Sequence, residues 1–328
     1  MKNIFSTFIV VLILFLVSGC SSKKYFEPEN IEGSYSSKGG NLSGKIIDFN
    51  RYGATLSNNQ FITSNGIINN KAENGFFFIN QIDNITISAD LTGKVAIDNK
   101  IITLDNIVIG ATLKGDTLAV IYIDNSIAIY DLTDGRTKFK EYLGDSLAND
   151  TRITNPIFMS DLVLFPSLNG KVVVFNIAQS KILREIIIDA TNKQFKNIIF
   201  FDIVDEQLIA ATANSILSIG VNLYAQNYEI KDVATKDNKI YIATIDGEII
   251  VMDNTLRASN SQKFKFAKIY GLGFGKDHIY GIEHSGYIIK MDMNLNNSSV
   301  MKLDFSKESK LIIIDNKAYF DNKFIYLD

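Results

Sequence analysis

The chain has 328 residues, of which 46% are hydrophobic and 21% charged, and a formal net charge of −3. This balance excludes disordered and collagen-like chains, and the slight acidity excludes a dedicated nucleic-acid binder, which needs a basic surface. One Cys and two His exclude a disulfide framework and a Cys- or His-built metal centre.

Residues 1–20 open with Met-Lys-Asn, run almost wholly apolar from Ile4 to Val17, and end in Ser18-Gly19-Cys20. A basic start, a short apolar run and a small-residue end make a secretory signal. The run falls short of the roughly 20 residues a spanning helix needs. Leu16-Val17-Ser18-Gly19-Cys20 resembles the lipobox of bacterial lipoproteins. That resemblance implies cleavage after Gly19 and acyl chains, palmitate among them, on Cys20. The other reading is an ordinary signal peptide with an incidental Cys. Several chains on one residue anchor durably, because each buried methylene contributes about 0.8 kcal/mol. Ser21 after the Cys implies outer-membrane sorting, by resemblance to enterobacterial lipoproteins. The chain thus divides into a signal peptide over 1–19, a flexible Ser/Gly/Lys/Glu-rich tether over 20–43 and a folded body over 44–328.

From Lys45 onward, apolar stretches rich in Ile, Val, Tyr and Phe alternate with Asn, Asp and Gly, which is the strand-and-turn signal. The strands repeat. Asn238-Lys239-Ile240-Tyr241-Ile242 recurs 39 residues later as Asp277-His278-Ile279-Tyr280-Gly281, and 39 later again as Asn316-Lys317-Ala318-Tyr319-Phe320. Asp246–Leu256 and Ser285–Leu295 share six of eleven residues at the same offset. Weaker copies surround the turns at Asp83-Asn84, Asp124-Asn125, Asn169-Gly170 and Asn214. A unit of about 40 residues accommodates four short strands, and such units bury both faces when packed around an axis. The expected fold is therefore all-β, a β-propeller of about seven four-stranded blades, with eight as the alternative. The N-terminal strand Lys45–Phe49 is expected to pair into the last blade and close the ring. A β-solenoid or two β-sandwiches are the competing architectures.

Asp237–Asp253, with its Asp-Gly turn and following Ile/Val strand, resembles the repeat of quinoprotein-type (PQQ-like) propellers, as does Asp131-Leu132-Thr133-Asp134-Gly135-Arg136. Together with the lipobox, the pattern resembles the BamB family of propeller lipoproteins. That resemblance implies a protein-interaction scaffold in outer-membrane β-barrel assembly, facing the periplasm, with the assembly machinery as partner. Two departures stand out: the chain lacks the Trp that usually ends the quinoprotein repeat, and BamB propellers have eight blades. The alternative functions are a surface-exposed lipoprotein binding a host or environmental ligand, and a degenerate quinoprotein enzyme.

No constellation of residues points to catalysis or to a cofactor. His278 and His284 fall near opposite ends of one strand, too far apart for one metal. Gly271-Leu272-Gly273-Phe274-Gly275 lacks the helix that a dinucleotide fingerprint requires and suits close packing at a propeller axis. Asp131, Asp134, Asp246, Asp253 and Asp292 recur at turn positions, where Asp caps the backbone. The ladder Tyr241, Tyr280 and Tyr319, with Met252 and Met291, is expected to pack between blades. Phe76-Phe77-Phe78 alternates faces on a strand, mostly toward the core.

Overall fold

The computed structural model describes residues 25–70, 74–146, 149–305 and 310–328. They form eight four-stranded antiparallel sheets, and among the described residues there is no helix. We number the sheets as blades: blade 1 spans 46–69, blade 2 77–103, blade 3 108–142, blade 4 157–187, blade 5 200–227, blade 6 230–263 and blade 7 269–302. Blade 8 combines the three strands of 311–326 with Gly39–Asn41.

Each core cluster sits between two neighbouring sheets, so burial runs around the ring rather than through one centre. Ile87 and Val95 of blade 2 pack on Leu118 and Val120 of blade 3. Ile209 and Ile216 of blade 5 pack on Ile240 and Ile250 of blade 6. The seam between blades 8 and 1 joins Ile312 and Tyr319 to Ile46 and Leu56. Strands with alternate residues facing the two adjacent seams bury both faces, which is why they are apolar nearly throughout. The tyrosine ladder lies in these seams, with Tyr241, Tyr280 and Tyr319 all buried. Burial, then the nearby Asp237 and Asp292, push Tyr241 up to about 12. Met252 and Met291 are buried in the same way.

Of the two blade counts expected, the structure has the alternative, eight, rather than seven, and the reason is local. Second strands begin at Ala54, Ile85, Thr117, Leu162, Gln207, Lys239, His278 and Lys317. Phe77–Ile82, matched in the sequence to second strands, is instead the innermost strand of blade 2. That slip of one strand hides blade 1, whose strands are only three or four residues long.

The ring does close through an N-terminal strand, but not through Lys45–Phe49. Gly39–Asn41 pairs with Lys323–Tyr326 as the outer strand of blade 8, and Ile46–Phe49 is the inner strand of blade 1. The expected tether also differs. From residue 25 the chain follows the outside of blades 7 and 8. Glu32 N donates to Val300 O at 2.8 Å, Tyr35 N to Lys302 O at 2.8 Å, and Lys302 N to Gly33 O at 2.8 Å. Phe26 is buried at the seam of blades 6 and 7, edge-on to Tyr287 at 5.6 Å. Burying such a ring contributes about 2 kcal/mol, which is why this stretch adheres rather than waves. The signal, Gly19 and Cys20 lie outside the described residues.

Candidate functional site: a bridged channel and the face around it

The innermost strand of each blade is its first, and those of blades 1, 2, 5, 6, 7 and 8 line a channel of about 950 Å³. Five of them, in blades 1, 2, 3, 6 and 7, carry a bulge at the equivalent place. The extra residues are Ile47, Ile79, Ile109, Lys231 and Tyr270. A bulge leaves one residue unpaired and re-aims its side chain.

Seven of the eight turns between first and second strands are short and built from Asp, Asn, Ser, Glu, Lys or Gly, as at Asp83-Asn84 and Asp315-Asn316. Positive φ at Asp83, Ser160, Asp237 and Asp315 explains that choice. Blade 1 departs from this pattern with Asn50-Arg51-Tyr52-Gly53. Because its strands are short, this turn enters the channel instead of passing beyond it.

Arg51 crosses the axis. Its Nη1 bonds Asp232 Oδ1 at 3.1 Å and Ile199 O at 3.3 Å, and Nη2 donates to Val233 O. Its guanidinium also sits 4.7 Å from the centroid of Phe200. Blade 1 is thereby tied to blades 5 and 6 across the ring. Asn155 N donates to Tyr52 Oη at 3.2 Å, which adds blade 4. Asn50 Nδ2 donates to Phe78 O and Ile79 O of blade 2 at 3.0 and 2.9 Å. Among the described residues, then, a polar bridge of three residues spans the channel. Burial raises Tyr52, so its hydroxyl stays protonated at neutral pH.

Blade 7 explains its glycines by proximity to the axis. A Cβ on Gly273 would stand 2.5 Å from Leu327 Cδ1 and 2.6 Å from Ile313 Cγ2. The run Gly271–Gly275 is a close-packed strand and turn, with no helix after it.

Antiparallel order places the second-to-third turns and the connections between blades on one face. Large apolar side chains are displayed there: Leu91 (66% exposed), Ile123, Tyr142, Ile187, Phe195 and Ile245. Phe195 is held out by a buried network. Asp189 Oδ2 accepts from Thr212 Oγ1 and Asn214 Nδ2 at 3.0 and 2.8 Å, and Asn214 Nδ2 also donates to Phe195 O at 3.0 Å. This face opens onto the mouth of the channel, where Asn149–Arg152, Phe195, Lys231 and Tyr270 line the wall.

The remaining sequence candidates are placed as follows. His278 and His284 stand at opposite ends of one second strand, and His284 stacks on Tyr270 at 5.7 Å. Asp253 Oδ1 accepts from the backbone of Thr255 and Arg257 at 2.8 and 3.1 Å, and Asp292 Oδ1 from Asn294 at 2.9 Å. Asp131 and Asp134 cap their turn through the N–H groups of Thr133 and Arg136. Asp246 pairs with Lys263. Phe76 and Phe78 are buried and Phe77 is half-buried. The bridge Asn50–Tyr52 was not among the sequence candidates. Its signal was there to see: bulky Arg and Tyr where every other blade has a compact polar turn.

Fold and site together define a closed eight-bladed β-propeller with a bridged channel and an apolar-studded connector face. No protein-family profile matches the chain. It is 29% identical over 381 aligned positions to the plasminogen-binding protein PgbB of Helicobacter pylori strain J99, covering 98% of this chain and 70% of that protein. The protein of the same name from a second H. pylori strain is 28% identical, with coverage of 98% and 69%. Among solved structures, BamB from Moraxella catarrhalis superposes with a TM-score of 0.63 at 14% identity, covering 88% of this chain and 98% of that one. The C-terminal WD40 domain of Sif2 gives 0.64 at 9% identity, covering 90% and 100%. These structural likenesses establish the fold alone.

Proposed function

We propose that the chain is a non-enzymatic, lipid-anchored propeller of the bacterial envelope whose connector face binds a partner protein, of the kind plasminogen represents for its relatives. The observation that carries this reading is the 29% identity to a plasminogen-binding protein along nearly the whole chain. The exposed Leu91, Ile123, Phe195 and Ile245, distributed over one face, give that face apolar side chains for a partner to cover. The test is binding of the mature chain to immobilised plasminogen, with Leu91→Asp and Phe195→Asp as face variants. Saturable binding weakened tenfold or more by the variants supports the reading, and absence of saturable binding refutes it. Protease accessibility on intact cells reports whether the propeller is displayed outward.

A second reading, a scaffold in outer-membrane β-barrel assembly, draws support from the likeness in fold to BamB over 88% of the chain, and from the resemblance of Leu16–Cys20 to a lipobox and of Asp237–Asp253 to a PQQ-like repeat. Cross-linking from native membranes with Cys20 intact tests it. Recovery of the barrel-insertion machinery supports it, and normal barrel levels after deletion of the protein count against it. A quinone-cofactor titration with no spectral change removes the enzymatic alternative.

A further inference from the structure

The channel mouth holds a lysine whose ammonium forms no ion pair with a described carboxylate. Of the five bulge residues, Ile47, Ile79, Ile109, Lys231 and Tyr270, Lys231 alone is charged. The bulge frees it from the ladder between Ile230 and Asp232 and turns it to the channel. Its Nζ stands 5.4 Å from the centroid of Tyr270, the bulge residue of the next blade. No salt bridge or hydrogen bond joins the Lys231 ammonium to another described residue.

The acids beside it are already committed. Asp150 takes the Arg152 Nε and backbone N–H on Oδ1 at 2.8 and 3.0 Å, and Nη2 on Oδ2 at 2.6 Å. Asp232 takes Arg51 on Oδ1 and the Leu272 N–H on Oδ2 at 2.8 Å. The channel's other lysine, Lys236, is spent on the carbonyls of Gly275 and Lys276 at 2.6 and 3.1 Å. The Arg152 Nη1 is buried without a hydrogen-bond partner among the described residues, and the Arg152 charge acts on Lys231. Burial and that guanidinium hold Lys231 below the ordinary lysine range.

We propose that the channel mouth at Lys231 binds a single carboxylate, borne on an aromatic or apolar group that rests against Phe195 and Tyr270. The channel lining as a whole carries four cations and four acids, but around Lys231 Arg51 offsets Asp232 and Arg152 offsets Asp150, which leaves the Lys231 charge for one carboxylate to neutralise. A phosphate monoester, at about −1.5 to −2, overshoots it. The carboxylate arrives either on a free small molecule or on an acidic residue of the partner. The second source rests on the protein-binding reading above, and the first does not.

The probe is N-acetylphenylalanine, titrated into the mature chain and followed by NMR of the lysine side-chain nitrogens, with N-acetylphenylalanine amide as the uncharged control. The expected result is a saturable shift of the Lys231 signal with the acid and at least tenfold weaker binding of the amide, as loss of a charge-assisted bond requires. Lys231→Met should weaken the acid by the same factor. Equal binding of acid and amide, or a Lys231 signal that does not move, overturns the proposal without recourse to a variant that must fold. Plasminogen binding of Lys231→Met then separates the sources. A tenfold loss places the carboxylate on the partner, whereas unchanged binding with the probe result intact places it on a small molecule. If the wild-type chain fails to bind plasminogen at all, the protein-binding reading fails while the probe experiment still decides the site.

Discussion

Arg51 and Asp232, 181 residues apart in sequence, meet at 3.1 Å near the axis of the ring. The pair is mostly shielded, with side-chain exposures of 21% and 14%. With the contacts that Arg51 and Tyr52 make to Ile199, Phe200 and Asn155, it links blade 1 to blades that are not its neighbours. Removing one partner leaves the other poorly solvated, which costs more than the pair contributes when intact. Arg51→Met is therefore expected to destabilise the fold by about 2 kcal/mol. A double-variant cycle with Asp232→Asn, read by thermal unfolding, should give a coupling well above that of an exposed pair. Additivity within about 0.5 kcal/mol would show the bridge to be incidental.

Gly247 sits at φ +83°, and a Cβ there would stand 2.4 Å from Phe264 O and 2.7 Å from Ala267 O. Backbone atoms cannot yield as a side chain can. Gly66 has a similar φ of +98° with no atom within 4 Å of the added carbon. Gly66→Ala should cost about 1 kcal/mol through strain alone, and Gly247→Ala at least about 3 kcal/mol through strain and clash. Denaturant melts of the two variants measure the difference, and equal values would contradict the packing described.

Phe26 fixes the N-terminal strap at the seam of blades 6 and 7. Phe26→Ala should lower stability by about 2 kcal/mol, less than a central core ring because the strap can detach alone. Removing residues up to 41 uncovers Lys323–Tyr326 and Ser298–Lys302 as bare strand edges. Such edges template association, so the truncated protein should form oligomers on size-exclusion chromatography while the chain that keeps residues 25–41 stays uniform.

Several turn carboxylates are held below their ordinary range. At Asp292 burial raises the carboxyl, but the N–H groups of Asn296, Asn294 and Asn297 outweigh it. At Asp253 burial is likewise outweighed by Thr255 and Arg257, and at Asp150 by Arg152. A depressed folded pKa means that stabilisation is complete above the unfolded value, about 3.9, and is lost as pH falls through the folded one. The melting temperature should therefore drop below about pH 4. The deficit of Asp292→Asn against wild type should shrink over the same range. A deficit constant down to pH 2 would mean that the amide, not the charge, is at fault.

The architecture was legible because a propeller writes itself periodically. Tyr241, Tyr280 and Tyr319 recur since each fills the same seam. Blade number was harder to read. The three- and four-residue strands of blade 1 leave too little alternation to recognise, and Phe77–Ile82 resembles a second strand because inner and second strands are both buried on two faces. The closing strand Gly39–Asn41 has no apolar signature at all, since an outer strand at the rim contributes hydrogen bonds more than side chains. The channel bridge depends on which blade lies opposite which, a property of the closed circle that no local window contains. Only the odd composition of Asn50–Gly53 marked it, and Lys231 was marked only by a bulge that pairing reveals.

Blade 8 takes one strand from near the beginning of the chain and three from its end. Seven blades can be synthesised and paired in order, yet the circle stays open until Lys323–Tyr326 emerges and meets Gly39–Asn41, made far earlier. Closure is then a single long-range event, the kind that slows folding most. The bond from Arg51 to Asp232 depends on the same event, since the axis it crosses exists only once the circle is complete. Shape, bridge and channel mouth thus arrive together.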